Sequence, residues 1–302
     1  MALYLGNKKV AVTNTIEKQI PSMKAFFEAG GKCAYSTATS FEGCWQFDDT
    51  ANVTNMNSMF SYCYNLTTVP LFDTANVTNM SFMFNECSNL TTVPQFDTSK
   101  VTNMNSMFYY CYNLTTVPLF DTSNVTGMGS MFQNCSNLTT VPQFDTSNVT
   151  DMDSMFSYCS KLTTVPLFDT SSVTSMNSMF YYCSNLTTVP QFDTSKVTNM
   201  NSMFYYCYNL TTVPLFDTSN VTGMSYMFYN CSNLVAIHMI NINANLDIHY
   251  STKFTRESLL EILGNLKAQT SGSKKLTMGS TNLAKLTDAD KKIATDKGWT
   301  LA

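Results

Sequence analysis

"NMNSMFSYCYNLTTVPLFDT", residues Asn55–Thr74, decides the fold, because near-copies of it fill the middle of the 302-residue chain. Each copy carries Met-x-x-Met-Phe-x-x-Cys and then Leu-Thr-Thr-Val-Pro. Cysteines stand at 63, 87, 111, 135, 159, 183, 207 and 231, always 24 apart. Methionines keep step from Met56 to Met224 and again from Met59 to Met227, and phenylalanines from Phe60 to Phe228. A strict period in the range of 20–50 residues is the signature of stacked repeats. A longer period lies on top: Leu71, Leu119, Leu167 and Leu215 alternate with Gln95, Gln143 and Gln191. This implies growth by duplication of a two-repeat unit and marks the position as exposed.

Val53, Met56, Met59, Phe60 and Cys63 fall on one stripe of a helical wheel, as an amphipathic helix requires. Asn55, Ser58 and Tyr62 point the other way. The preceding Asp-Thr-Ala/Ser-Asn supplies N-cap residues, whose side-chain oxygens accept from orphan amides. Leu66–Val69 is a short β-prone run, and Pro70 lacks the amide that would continue it. Phe72 and its equivalents are expected to pack inward. A unit this small cannot bury its apolar face alone and must stack on its neighbour. The expected architecture is an α/β repeat solenoid, like a leucine-rich repeat. It is a right-handed stack of 24-residue units, with a parallel strand ladder on one side and short helices on the other.

The run Phe-Asp-Thr-Ser-Asn-Val-Thr-x-Met-x-Ser-Met-Phe-x-x-Cys-Ser-Asn-Leu-Thr-Thr-Val resembles the BspA-type leucine-rich repeats of bacterial surface proteins. The resemblance covers Phe47 to Leu234. It implies attachment to host cells, matrix or other bacteria. Many members of that family carry Leu-x-x-Leu-x-Leu-x-x-Phe where this chain has the shorter Leu-x-x-Val-Pro-x-Phe, which argues against a long continuous strand.

The ends differ from the array. Residues 1–46 read as an N-terminal cap: one or two strands in "MALYLGNKKVAVTNTIE", then a short helix between Pro21 and Gly30-Gly31. Phe41–Cys44 reads as a decayed repeat. Residues 47–234 are eight repeats. Residues 235–302 read as an α/β C-terminal cap or irregular repeats, with a separate attachment domain as the alternative. Thr255 is the expected N-cap of a helix to about Lys267, with Phe254 and Leu259 as a hydrophobic staple. A strand at Lys275–Met278, a helix over 287–297 and Gly298 as its C′ residue follow.

Composition narrows function. The chain has 17 Lys+Arg, 21 Asp+Glu and a net charge of −4, with no basic stripe to neutralise phosphates. Nucleic-acid binding is therefore not expected. No apolar run approaches the ~20 residues of a membrane span. The start lacks a charged n-region followed by an apolar run, so no ordinary secretory signal is read there. Cell-surface, extracellular or virion locations stay open. Asn-Val-Thr and Asn-Leu-Thr match a glycosylation pattern but read as turn and cap residues.

Cys and Met are soft ligands, yet here they share an apolar stripe, and the two histidines, His238 and His249, lie outside the array. No metal or cofactor is expected. Each rung offers one thiol, so the repeat cysteines read as free, buried small hydrophobes. Cys33 and Cys44 could pair with each other. The aspartates at 73, 97, 121, 145, 169, 193 and 217, with Asp49 at the first rung, read as capping residues rather than calcium ligands. The asparagines at 65, 89, 113, 137, 185, 209 and 233 read as a turn-stabilising ladder that Lys161 breaks.

No nucleophile–base pairing, Gly-rich phosphate loop or paired-carboxylate motif stands out, so no enzymatic reading is made. The informative variable positions lie between Phe and Cys. Tyr62, Tyr110, Tyr158, Tyr182 and Tyr206 share one place and face away from the expected core. Tyrosine offers contact area at small entropic cost, so these five are the candidate ligand-binding residues for a protein or carbohydrate on a cell surface. The expectation is a non-enzymatic binding or adhesion protein. The alternative is a phage or prophage virion protein, tail-associated and structural or receptor-binding.

Overall fold

The computed structural model describes residues 2–5, 8–11, 50–69, 71–270 and 272–302. The chain opens with an antiparallel hairpin of β1 (Ala2–Leu5) and β2 (Lys8–Ala11). The helix expected near Pro21, the decayed repeat at Phe41–Cys44, Asp49 and the Cys33/Cys44 pairing lie outside the described residues. Two units, Met1–Asn148 and Val149–Ala302, divide the chain. Both are repeat solenoids built from the same kind of rung.

The rung is made of turns. In the first unit the amides of Met56, Ser58, Phe60 and Tyr62 donate to the carbonyls of Asn79, Ser81, Met83 and Asn85 on the next rung. The amides between them, on Met59, Ser61 and Cys63, close turns onto the carbonyls three residues back. Every second amide thus points along the stack, and the others bend the chain. Ser58 and Tyr62 sit at φ of 58° and 66°, the left-handed conformation that a type II turn requires at its third residue. The second unit repeats the scheme. Ser154, Phe156 and Tyr158 donate to Asn177, Met179 and Tyr181, with Ser154 and Tyr158 at φ of 56° and 61°.

This corrects the helical side of the expected architecture. The Met–Cys segments contain no α-helix among the described residues. An α-helix directs its amides along its own axis, at carbonyls four residues back, and aims none sideways at a neighbouring rung. Here the apolar residues 53, 56, 59, 63, 66, 69 and 72 are all buried and recur mostly every third residue. On a helix that spacing would wind away from a fixed face, whereas successive tight turns keep it inward.

The strand side is also thinner than expected. Between rungs, the Leu-Thr-Thr-Val segment is joined by single bonds such as Thr91 to Thr67 (3.2 Å) and Thr187 to Thr163 (3.1 Å). A second parallel ladder of isolated bridges runs through Asn55, Asn79, Asn103 and Gly127 in one unit. Its counterpart in the other unit runs through Asp151, Ser175, Asn199 and Gly223. Among the described rungs, continuous strands form only at the end of the second unit, where β3 (Thr212–Asp217) pairs in parallel with β4 (Ala236–Ile240). Pro214 cannot donate, and the register shifts between Val213 and Phe216.

Columns of identical side chains fill the core. Phe60, Phe84, Phe108 and Phe132 stack at centroid spacings of 5.4, 5.5 and 5.6 Å. In the second unit Phe156, Phe180, Phe204 and Phe228 stack at 5.7, 5.7 and 5.8 Å. The methionines line the same interior and are buried. The eight repeat cysteines are buried thiols. Their place has a polar reason as well as an apolar one. Cys87, Cys111 and Cys135 donate through Sγ to the carbonyls of Phe60, Phe84 and Phe108, each at 3.1 Å. Cys183, Cys207 and Cys231 do the same to Phe156, Phe180 and Phe204 at 3.0 Å. The thiol is small enough for the core and still a weak donor.

The second unit closes on β5 (Leu246–Asp247), α1 (Arg256–Asn265), β6 (Lys274–Thr277), α2 (Gly279–Leu283), α3 (Asp288–Asp296) and β7 (Trp299–Leu301). Strands β5, β6 and β7 form one parallel sheet in that order. Thr255 caps α1 by accepting from the Ser258 amide, and Thr287 caps α3 through a reciprocal box with Asp290. Gly298 follows α3 at φ 78°, a C′ conformation that glycine adopts without strain.

Candidate functional site

The turn that breaks the helix also displays the tyrosines. Tyr62, Tyr110, Tyr158, Tyr182 and Tyr206 all occupy the second left-handed position of their rung, at φ between 58° and 66°. There the side chain projects outward while its neighbours on either side are held by ladder bonds. Glu86, Asn134 and Asn230 occupy the same place on other rungs.

In the second unit three of the five expected residues come together. Tyr158 stacks on Tyr182 at 4.9 Å and 11°, and Tyr182 on Tyr206 at 4.5 Å and 6°. Beside this column stands a second: Tyr181 on Tyr205 at 4.6 Å and 4°, and Tyr205 on Tyr229 at 4.8 Å and 10°. Tyr208 meets Tyr206 edge-on at 5.3 Å, and Tyr226, the most exposed of these rings, leans on Tyr205 and Tyr229. Tyr250, from the segment after the repeats, closes the row against Tyr229. The second column did not enter the expected site. Its signal was present in the Tyr-Tyr pairs at 181–182 and 205–206, but a helical wheel gives no reason for two adjacent residues to form parallel rows.

In the first unit the tyrosines are fewer. Tyr62 packs edge-on against Tyr64, and Tyr110 against Tyr109 and Tyr112. On the rung between Tyr62 and Tyr110 the equivalent residue is Glu86, whose carboxylate accepts from the Tyr64 hydroxyl at 3.1 Å. A groove of about 460 Å³ opens beside them, lined by Tyr62, Phe82, Glu86 and Tyr109 among others.

Stacking fixes what these surfaces offer. Rings in a parallel column cover one another's faces, so what remains exposed is ring edges and rows of hydroxyls. Desolvation, reinforced by Tyr110, pushes the Tyr109 phenol up to about 12. Desolvation and neighbouring tyrosines do the same to Tyr181. The hydrogen bond shared with Tyr250, with desolvation, raises Tyr229 to about 12. Tyr109, Tyr181 and Tyr229 are therefore uncharged donors and acceptors over the physiological range.

The polar ladders serve the rungs. Asp97 accepts through Oδ1 from the Ser99 amide at 3.0 Å and from its hydroxyl at 2.7 Å, which hold its carboxyl below the usual range. Asp121, Asp145, Asp169, Asp193 and Asp217 likewise accept from the amide two residues on. Asn113 donates to Asn89 and Asn137 to Asn113 in one unit, and Asn209 to Asn185 and Asn233 to Asn209 in the other. Buried Thr98 and Thr194 donate to the carbonyls of Asp121 and Asp217 on the next rung at 2.8 Å. Among the described residues no three or more His, Cys, Asp or Glu side chains converge as a metal site. No described helix is long and apolar enough to cross a membrane.

A leucine-rich repeat protein from Eubacterium ventriosum, known from a crystal structure, is similar over 73% of this chain and 77% of its own. The identity is 16% and the TM-score 0.27. No curated protein matches the chain. The family described as "Mycoplasma protein of unknown function, DUF285" matches residues 22–139, 114–207 and 161–256. These overlapping segments span residues 22–256, well over half of the 302 residues, and the chain belongs to that family.

Proposed function

We propose that the chain is a non-enzymatic recognition protein that presents its tyrosine columns to a protein or glycan on a cell surface. The observation that carries this reading is the pair of columns in the second unit, Tyr158/Tyr182/Tyr206 and Tyr181/Tyr205/Tyr229. Core packing does not require them. The phenylalanine, methionine and cysteine columns already fill the interior, and at the same rung position Asn134 and Asn230 serve the turn equally well. Large aromatic side chains gathered outside a full core are what a contact surface uses. The hydroxyl rows suit a polyhydroxyl or amide-bearing chain lying along them.

The reading extends to the architecture. The rungs are 24-residue units wound right-handed, with residues 235–302 closing one open end; the N-terminal cap expected over residues 1–46 lies almost wholly outside the described residues. The kinship is to BspA-type surface repeats. Hydrogen bonds between residues 24 apart and the capped helices α1 and α3 beyond the last repeat support it.

The test titrates fluorescently labelled protein onto epithelial cells, bacterial cells and immobilised mucin. Saturable binding to at least one is expected, and its identity names the class of target. Linear, non-saturating adsorption on all three overturns the proposal.

A further inference from the structure

Tyr229 belongs to the last repeat, and Tyr250 to the segment that leads from β5 to α1. Their ring centroids lie 4.4 Å apart, with the planes at 63°. The hydroxyl oxygens are 3.2 Å apart and share a hydrogen bond. Tyr250 is partly exposed, at 36%. One ring meets the other edge to face with the hydroxyls side by side, and the tilt between the planes is already that of an ortho-coupled biphenol. In that product the carbons next to the hydroxyls are joined, and the flanking groups keep the rings from becoming coplanar.

The other tyrosine pairs fit less well. Tyr181–Tyr205 and Tyr182–Tyr206 are parallel, at 4° and 6°. Their coupling carbons therefore lie face to face, and a bond in the ring plane would need a ring to turn. Tyr158–Tyr181 is tilted at 59° but wider, at 5.3 Å. Tyr109–Tyr110 is as close, at 4.4 Å, but joins neighbours in sequence, so its product would close a small strained ring. The stacked column also feeds the site: an electron vacancy on Tyr181 or Tyr205 can pass ring to ring to Tyr229. Easily oxidised sulfur is screened, since Met224, Met227 and Cys231 around this rung are buried.

We propose that Tyr229 and Tyr250 form an oxidative modification site. They couple into a dityrosine cross-link when the protein meets a one-electron oxidant of the haem-peroxidase class with hydrogen peroxide. The oxidant removes one electron from each phenol, and each phenolic proton passes to solvent. The two phenoxyl radicals pair their electrons in a bond between the ring carbons ortho to oxygen. Each of those carbons then loses its hydrogen as a proton while its oxygen is reprotonated, restoring both phenols. The protein loses two hydrogen atoms in all, and one peroxide is reduced to two waters. The bond staples the segment entering the terminal α/β module to the last repeat.

The experiment treats the full-length folded protein, at high dilution, with a haem peroxidase and hydrogen peroxide. It then reads dityrosine fluorescence in the monomer band and maps cross-linked peptides by mass spectrometry. The expected result is a monomeric product whose main cross-link joins the peptides of Tyr229 and Tyr250, lighter by two hydrogens, with a raised Tm. Tyr250→Phe and Tyr229→Phe each keep the ring and its packing, and each should remove that cross-link and the Tm gain. The idea is overturned if no monomeric dityrosine forms. It is equally overturned if Tyr158–Tyr181 or Tyr109–Tyr110 couples at equal or higher yield, or if either Phe variant leaves the monomer's dityrosine unchanged.

Discussion

A residue at positive φ carries much of this structure. Ser58, Tyr62 and their equivalents adopt a conformation that costs an L-residue with a Cβ about 1–2 kcal/mol. The cost recurs on every described rung because the turn it makes aims alternate amides at the neighbour. Glycine adopts this conformation freely but loses more entropy on folding. Ser178, at φ 55°, is a direct probe. Ser178→Gly should raise stability by about 0.5 kcal/mol, the strain relieved exceeding the entropy lost. Urea denaturation measures it, and a clear loss of stability would contradict the turn geometry. At this scale the sequence was partly legible. Asn134 and Asn230 are residues that tolerate the left-handed region, but most equivalents are serine or tyrosine, which advertise nothing of the kind. The outward direction of Tyr62, Tyr110, Tyr158, Tyr182 and Tyr206 could be read without knowing the backbone, because the core stripe lay elsewhere.

The element is the rung, and no rung stands alone. Its alternate amides find partners only on the next copy, and its Phe, Met and Cys side chains are covered only by the copies on either side. Phe180 lies between Phe156 and Phe204 at 5.7 Å each, with Phe192 at 6.4 Å. Phe180→Ala should cost about 3–5 kcal/mol, the loss of a fully buried aromatic plus the cavity it leaves. Chemical denaturation of the two proteins reads this directly; a cost below about 1 kcal/mol would mean that the column collapses to fill the gap. Inward residues such as Met56, Met59, Phe60 and Cys63 were readable from periodicity. The local backbone was not, because over one rung a spacing of three and four residues fits a helix as well as a run of tight turns. Only the continuation of that spacing through Leu66, Val69 and Phe72 separates the two.

At the scale of the whole molecule, the terminal module was the most legible part. Thr255 and Thr287 announce their helices through side-chain chemistry that needs no distant partner. The sheet partners β5 and β7 were missed, being too short to show a pattern. This module also carries a pH response. Arg256 donates to both carboxylate oxygens of Asp290, at 2.9 and 2.6 Å, and holds its pKa at about 2, below the ~3.9 of an unfolded chain. A depressed carboxyl contributes stability that is complete above its unfolded pKa and is lost as pH falls through its folded one. The difference in Tm between the wild type and Asp290→Asn should therefore be constant above about pH 5 and shrink between about pH 4 and pH 2. Thermal melts across that range test it, and a difference that grew on acidification would refute the pairing.

The central claim is that the tyrosine columns of the second unit make the contact surface, while the buried columns only hold it in place. Changing Tyr158, Tyr182 and Tyr206 together to Asn, the residue that fills the same turn position at 134 and 230, removes the rings without disturbing the rung. The half-saturation concentration of labelled protein on its cell target should rise by about tenfold or more, as loss of several aromatic anchors does, while Tm stays close to the wild type. An unchanged half-saturation point in a variant of unchanged Tm would contradict the claim.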